Sequence, residues 1–198
     1  MKFYLIPAMT AILMIGTVNA QHSGQTVTIG VKGGLNLFNI HNDNGVKYDT
    51  KAGFNLGLMG HIHLAPHIAL QPEIVYSGQG AKYTAGNAET NIKLGYINVP
   101  FIFQYMFDNG FRLQAGPQVG FLVNAKSETN NVSIDVKDNL KSVDFALSAG
   151  VSYVHPPTGF GIDARYNLGL SKINENSSVK STNRGCQLGI FYLFNHRH

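Results

Sequence analysis

The sequence predicts an all-β fold, an eight-stranded antiparallel up-and-down transmembrane β-barrel. Three observations predict it. An apolar leader, uncharged from Phe3 to Val18, opens the chain, eight later segments alternate apolar with polar residues, and the links between those segments alternate between short and long. Successive side chains of a strand point to opposite sides, so alternation at period two marks a strand with one apolar face. No helical period follows the leader.

Composition sets the outer limits. Of 198 residues, 44% are apolar and only 13% are charged, against about a quarter charged in soluble domains. The net charge of +4 comes from scattered lysines. A nucleic-acid partner is therefore not expected, since that would call for a basic patch. Beyond the leader no run approaches the roughly 20 apolar residues of a membrane-crossing helix, which excludes a helical multi-span protein. The single cysteine, Cys186, excludes an internal disulfide framework, a cysteine zinc site and a cysteine-pair redox site.

Residues 1–20 read as a signal peptide. Met1-Lys2 supplies the positive start, Phe3 to Val18 is uncharged, and Val18-Asn19-Ala20 ends on a small residue suited to cleavage. Residues 21–198 are then one exported barrel domain.

The eight strands follow in order. The first runs from Val27 to Leu37. The second, Phe54 to Leu64, aligns Phe54, Leu56, Leu58, Ile62 and Leu64; the third, Ile68 to Tyr76, aligns Ile68, Leu70, Pro72, Ile74 and Tyr76. The fourth, Tyr96 to Phe107, sets Ile97, Val99, Phe101, Phe103, Tyr105 and Phe107 against Asn98, Pro100, Ile102, Gln104 and Met106. In the fifth, Phe111, Leu113, Ala115, Pro117, Val119, Phe121 and Val123 oppose Arg112, Gln114, Gly116, Gln118 and Gly120. Val143 to Tyr153, Phe160 to Leu170 and Cys186 to Phe194 complete the set.

Short links fall at Ala65-Pro66-His67, Asp108-Asn109-Gly110 and around His155-Pro156-Pro157-Thr158. Four longer polar links span Asn39 to Thr50, Gly80 to Asn91, Lys126 to Asn139 and Ile173 to Asn183, and are expected as loops. Short turns at one end and long loops at the other describe an outer-membrane barrel with periplasmic termini and surface loops. Asp108-Asn109-Gly110 tests the register. A two-residue turn would oppose Phe107 to Arg112, mixing the faces. A three-residue loop with Gly110 in the left-handed region pairs Phe107 with Phe111, so that form is predicted.

The direction of the apolar face separates a membrane barrel from a soluble lipocalin-like one. The opposite face carries Lys32, Asn55, His61, His63, Gln71, Glu73, Arg112, Gln114, Asp144, Asp163, Arg165 and Asn167 among glycines. A soluble barrel would need many more Lys and Glu there, and would have to seal eight strands' worth of Phe, Leu and Ile in a narrow interior. With the apolar face toward lipid, small and hydrogen-bonding groups fill the lumen. Tyr105, Phe107, Phe111, Tyr153, Phe160, Tyr192 and Phe194 crowd the short-turn ends as an aromatic girdle. Ile190, Tyr192 and Phe194 resemble a C-terminal outer-membrane assembly signal, with four residues following Phe194.

Further local sequences carry a family resemblance. They are Gly30-Val31-Lys32-Gly33-Gly34-Leu35-Asn36, Gln71-Pro72-Glu73-Ile74-Val75-Tyr76-Ser77, Tyr96-Ile97-Asn98-Val99-Pro100, Gly116-Pro117 and Tyr166-Asn167-Leu168-Gly169-Leu170. In these the chain resembles the small PorT-like outer-membrane barrels common in Bacteroidota, architecturally akin to OmpX and the OmpA transmembrane domain. The resemblance implies the fold and the location. PorT itself is associated with protein secretion and surface translocation, a role not carried over to this chain.

Six inward charges, Lys32, Glu73, Arg112, Asp144, Asp163 and Arg165, balance three against three and are expected to form a network plugging the lumen. Glu73 and Arg112 are its expected members in particular. His61 and His63, at period two and with Glu73 diagonal to His61, have the spacing of two metal ligands on a strand. Hydrogen bonding inside a filled barrel is the favoured reading, and neither metal nor cofactor is expected. Lipid hydrolysis would need a Ser and a His together. The inward histidines lie near the short turns and Ser77 toward the long links, so no catalytic residue is assigned. The sequons at Asn131 and Asn176 carry little meaning in a bacterial chain. The expectation is a monomeric, non-enzymatic barrel in outer-membrane lipid, with its long loops free for envelope or secretion proteins. A lipid-modifying enzyme and a small-solute channel are the alternatives.

Overall fold

The computed structural model describes residues 27–43, 48–85, 88–129, 132–174 and 181–194. The leader, the cleavage site, the sequon asparagines Asn131 and Asn176 and the four residues after Phe194 lie outside them. The strands are β1 (Val27–Asn42), β2 (Asp49–Ala65), β3 (Ile68–Ala85), β4 (Ala88–Met106), β5 (Phe111–Thr129), β6 (Val132–Asp135), β7 (Val143–Val154), β8 (Phe160–Gly169) and β9 (Ser181–Leu193). Every pairing is antiparallel. Eight strands close on themselves through β1–β9 and β4–β5, while β6 adds only to the edge of β5. Closure leaves no unpaired backbone edge facing lipid, which a membrane requires because hydrocarbon offers no hydrogen-bond partner.

Side-chain direction follows the sequence period. Along the lower part of β5, burial alternates residue by residue, with Phe111, Leu113 and Phe121 exposed and Arg112, Gln114 and Gln118 buried. The same holds around the wall: Leu35, Phe54, Leu56, Phe103, Phe145 and Ile190 face outward, whereas Lys32, Asn36, Glu73, Asp163 and Arg165 face inward. An apolar exterior around a polar interior suits a barrel in lipid.

The Asp108-Asn109-Gly110 turn takes the three-residue form. Phe107 N donates to Phe111 O at 2.9 Å and Gly110 N to Phe107 O at 3.0 Å. Gly110 sits at φ 86°, in the left-handed region that favours glycine. Phe107 thereby opposes Phe111, and their ring centroids lie 5.8 Å apart. The girdle continues through Tyr105–Phe107 at 5.1 Å, Tyr192–Phe194 at 5.3 Å and Phe160–Tyr192 at 4.7 Å.

The long links differ from expectation. Much of what reads as loop is strand: β3 and β4 pair out to Ala85↔Ala88, and β5 continues to Thr129 beside β6. The Asn39 to Thr50 link shortens likewise, with β1 ending at Asn42 and β2 starting at Asp49, and β9 begins at Ser181. Alternation fades there because the outer face meets water instead of lipid, yet the backbone ladder needs no apolar face. A tilted strand crosses the bilayer in about 9–11 residues. β3, β4 and β5 have 18, 19 and 19. The surplus stands roughly 20 Å beyond the apolar band, at about 3.3 Å per residue and a tilt near 40°. β7 and β8, with 12 and 10 residues, rise far less.

Candidate functional site

The candidate site is the lumen at mid-height, where four of the six expected charges meet. Lys32 comes from β1, Glu73 from β3, and Asp163 and Arg165 from β8, each at an inward position of its strand. Lys32 Nζ lies 3.3 Å from Glu73 Oε2 and 3.2 Å from Asp163 Oδ2. Arg165 Nη2 lies 2.7 Å from Glu73 Oε1, and Arg165 Nε lies 3.0 Å from Asp163 Oδ2. Two cations and two carboxylates therefore close a ring across the barrel, each side chain 3% exposed or less. Such a ring is neutral. Mutual pairing offsets the high cost of moving each charge out of water.

Glutamines extend the ring toward the short turns. Gln71 Nε2 donates to Glu73 Oε1 at 2.7 Å, and Gln104 Nε2 donates to Gln71 Oε1 at 3.0 Å and to Gln114 Oε1 at 3.1 Å. Arg165 Nη2 reaches Gln114 Oε1 at 3.3 Å. Arg112 enters only here, its Nη1 donating to Gln104 Oε1 at 3.3 Å. Glu73 pairs with Lys32 and Arg165, and Arg112 joins the network only through Gln104, meeting no carboxylate among the described residues.

Asp144, expected in the same network, stands apart from the ring. It belongs to a separate cluster toward the long hairpins, accepting from Ser171 Oγ at 2.5 Å and from Asn183 Nδ2 at 3.3 Å. Asn183 also approaches the Tyr96 hydroxyl at 3.4 Å. Inward parity is readable from a sequence, but height along the barrel depends on strand stagger. Asp144 is therefore inward yet out of reach of the ring.

Apolar layers bound the polar zone. Met59, Val154, Phe191 and Leu193 pack together toward the short turns. Ile40, Ala81, Leu94, Tyr96, Leu122, Ala125 and Ile173 pack toward the long hairpins. Sequence reasoning missed these layers. Phe191 and Leu193 lie within the run Ile190 to Phe194, where an unbroken apolar string conceals which members turn inward.

His61 and His63 meet edge to face with ring centroids 4.7 Å apart. Among the described residues, no three His, Cys, Asp or Glu groups gather at metal-binding distance. Ser77 Oγ accepts from Asn36 Nδ2 at 2.9 Å and from Gln79 Nε2 at 3.0 Å, a role in lumen packing rather than beside a histidine.

With closure, an apolar exterior and a polar lumen established, comparison places the chain. Residues 19–175 match the family described as the outer membrane protein beta-barrel domain. The chain belongs to that family. It resides in the outer membrane, its apolar wall in lipid. No curated protein matches the chain by sequence. Among solved structures, this barrel resembles Neisserial surface protein A at 15% identity and TM-score 0.57, covering 87% of this chain and 100% of that one. It also resembles Ail, the attachment invasion locus protein of Yersinia pestis, at 20% identity and TM-score 0.54, with the same coverage. At such identities these likenesses speak for the fold alone.

Proposed function

We propose that this member of the outer-membrane barrel family is a plugged, non-enzymatic anchor that displays its long hairpins at the cell surface. The carrying observation is the neutral ring of Lys32, Glu73, Asp163 and Arg165, which spans the lumen between two apolar layers. A water-filled pore would solvate its charges individually and would not require each cation to touch two carboxylates. The signal peptide at residues 1–20 delivers the chain, the barrel acts as a monomer, and kinship lies with PorT-type barrels. The hairpins serve adhesion, anchoring or support of a secretion complex, binding other envelope proteins. The test is planar-bilayer recording with the refolded protein. No steady conductance is expected, and steady ion current would overturn the plug in favour of a solute channel.

A further inference from the structure

We propose that the polar cluster around Asp144, at the end of the lumen toward the long hairpins, is a binding site for a calcium ion. Asp144 comes from β7, Asn183 from β9, Tyr96 from β4 and Ser171 from the chain just after β8. Asp144, Asn183 and Tyr96 are 7%, 3% and 1% exposed, and Tyr96 belongs to the upper apolar layer. A carboxylate set against such a layer calls for a counter-cation. The lumen ring matches two carboxylates with two cations, whereas Asp144 forms no ion pair among the described residues. Its partners are neutral: Ser171 Oγ donates to Oδ1 at 2.5 Å and Asn183 Nδ2 to Oδ2 at 3.3 Å. Gly120 stands opposite Asp144 in register, and a Cβ there would come within 3.3 Å of the Tyr96 ring. Glycine leaves that ring its room beside β7.

The amide of Asn183 is poorly served as it stands. Its Oδ1 is buried and accepts no hydrogen bond among the described residues. Its Nδ2 makes two long contacts, 3.3 Å to Asp144 Oδ2 and 3.4 Å to the Tyr96 hydroxyl. A half-turn of the terminal torsion exchanges the two amide atoms. Oδ1 then faces Asp144 Oδ2 and the Tyr96 hydroxyl, a meeting of oxygens that a cation between them makes favourable. Spacing selects the cation. Adjacent oxygens on one calcium ion, each about 2.4 Å from it, lie about 3.4 Å apart, whereas around magnesium, at about 2.1 Å, they lie about 3.0 Å apart. The contacts of 3.3 and 3.4 Å match calcium. Hard cations take carboxylate, amide and hydroxyl oxygens alike, so the site needs no gathering of acids. Ser171 Oγ is held in place by Phe145 N, which donates to it at 2.8 Å. Ser171 is half-buried, leaving a path for the ion and its remaining waters.

The test is terbium luminescence and thermal unfolding of the refolded full chain in detergent, with ionic strength fixed by choline chloride. Terbium is a hard ion of calcium's size whose emission is excited through nearby tyrosine, and the chain holds no tryptophan to compete. Sensitised emission is expected, displaced by calcium with half-effect at about 1 mM, the weak range that one carboxylate gives. The same concentration of magnesium should displace little. Calcium should also raise the unfolding temperature. Asp144→Asn keeps the side chain's shape and removes its charge, so it should abolish the calcium response yet fold at least as well without calcium. Asn183→Asp adds a second carboxylate and should bind about tenfold more tightly. Asp138→Asn, in the exposed turn after β6, should leave the response unchanged. No emission from the unmodified chain would overturn the proposal, as would a calcium response that survives Asp144→Asn. Equal displacement by magnesium or sodium would overturn the calcium assignment.

Discussion

Replacing Glu73 with alanine removes one of the two negative charges from the lumen ring. Its carboxylate accepts from Arg165 at 2.7 Å, from Gln71 at 2.7 Å and approaches Lys32 at 3.3 Å. After the change Asp163 alone faces two cations, leaving one buried positive charge without a counter-charge. Breaking a buried pair in this way costs about 3–5 kcal/mol. The double variant Lys32→Met/Glu73→Met removes one charge of each sign and keeps the Arg165–Asp163 contact at 3.0 Å. It should recover most of the loss, because neutrality returns and methionine adapts to an irregular space. Urea unfolding in lipid vesicles, followed by far-ultraviolet circular dichroism, measures both. A Glu73→Ala cost below about 1 kcal/mol would refute the reasoning, as would a double variant worse than the single one.

Phe101→Arg should destabilise the barrel by about 2–4 kcal/mol in the same assay if that side chain meets lipid near the midplane. Asp138→Arg, in the exposed turn after β6, should have little effect, and equal tolerance would contradict the lipid-facing assignment. A tag inserted after Asp138 should be labelled on intact cells and one at Asn109 should not, with reversed labelling refuting the topology. Lys51 loses its proton near pH 8 when folded and near 10.5 when unfolded. The unfolded chain therefore binds more protons between those values, and stability should rise with pH across that window. Lys51→Met should flatten that rise in urea titrations at matched salt, and an unchanged slope would refute Lys51 as its source.

The lower barrel was legible because lipid and lumen impose opposite demands on alternate residues. The run Phe101, Phe103, Tyr105, Phe107 against Ile102, Gln104 and Met106 identified both a strand and its outward face. Gly110 identified one turn, since the alternative turn would have mixed the faces. Beyond the bilayer that contrast disappears. Gly80 to Asn91 looks like a loop although it is largely paired strand, because a ladder in water is maintained by backbone hydrogen bonds that leave no apolar period. Inward parity picked out all six charges but not their heights. Lys32 and Asp163 are 131 residues apart in the chain and touch only because β1, β9 and β8 are neighbours with a particular stagger. Arg112 and Asp144 have the same parity and miss the ring.

The unequal wall gives this molecule a front and a back. A barrel of even height looks alike from every direction in the membrane plane, so turning about its axis changes nothing. Here β3, β4 and β5 stand tall while β7 and β8 stay low. Each turn therefore swings a raised screen around the mouth. Anything arriving sideways along the surface meets that screen from one quarter and the shorter strands β7 and β8 from another. In a crowded membrane, whatever fixes the barrel's heading decides which of these two approaches stays open.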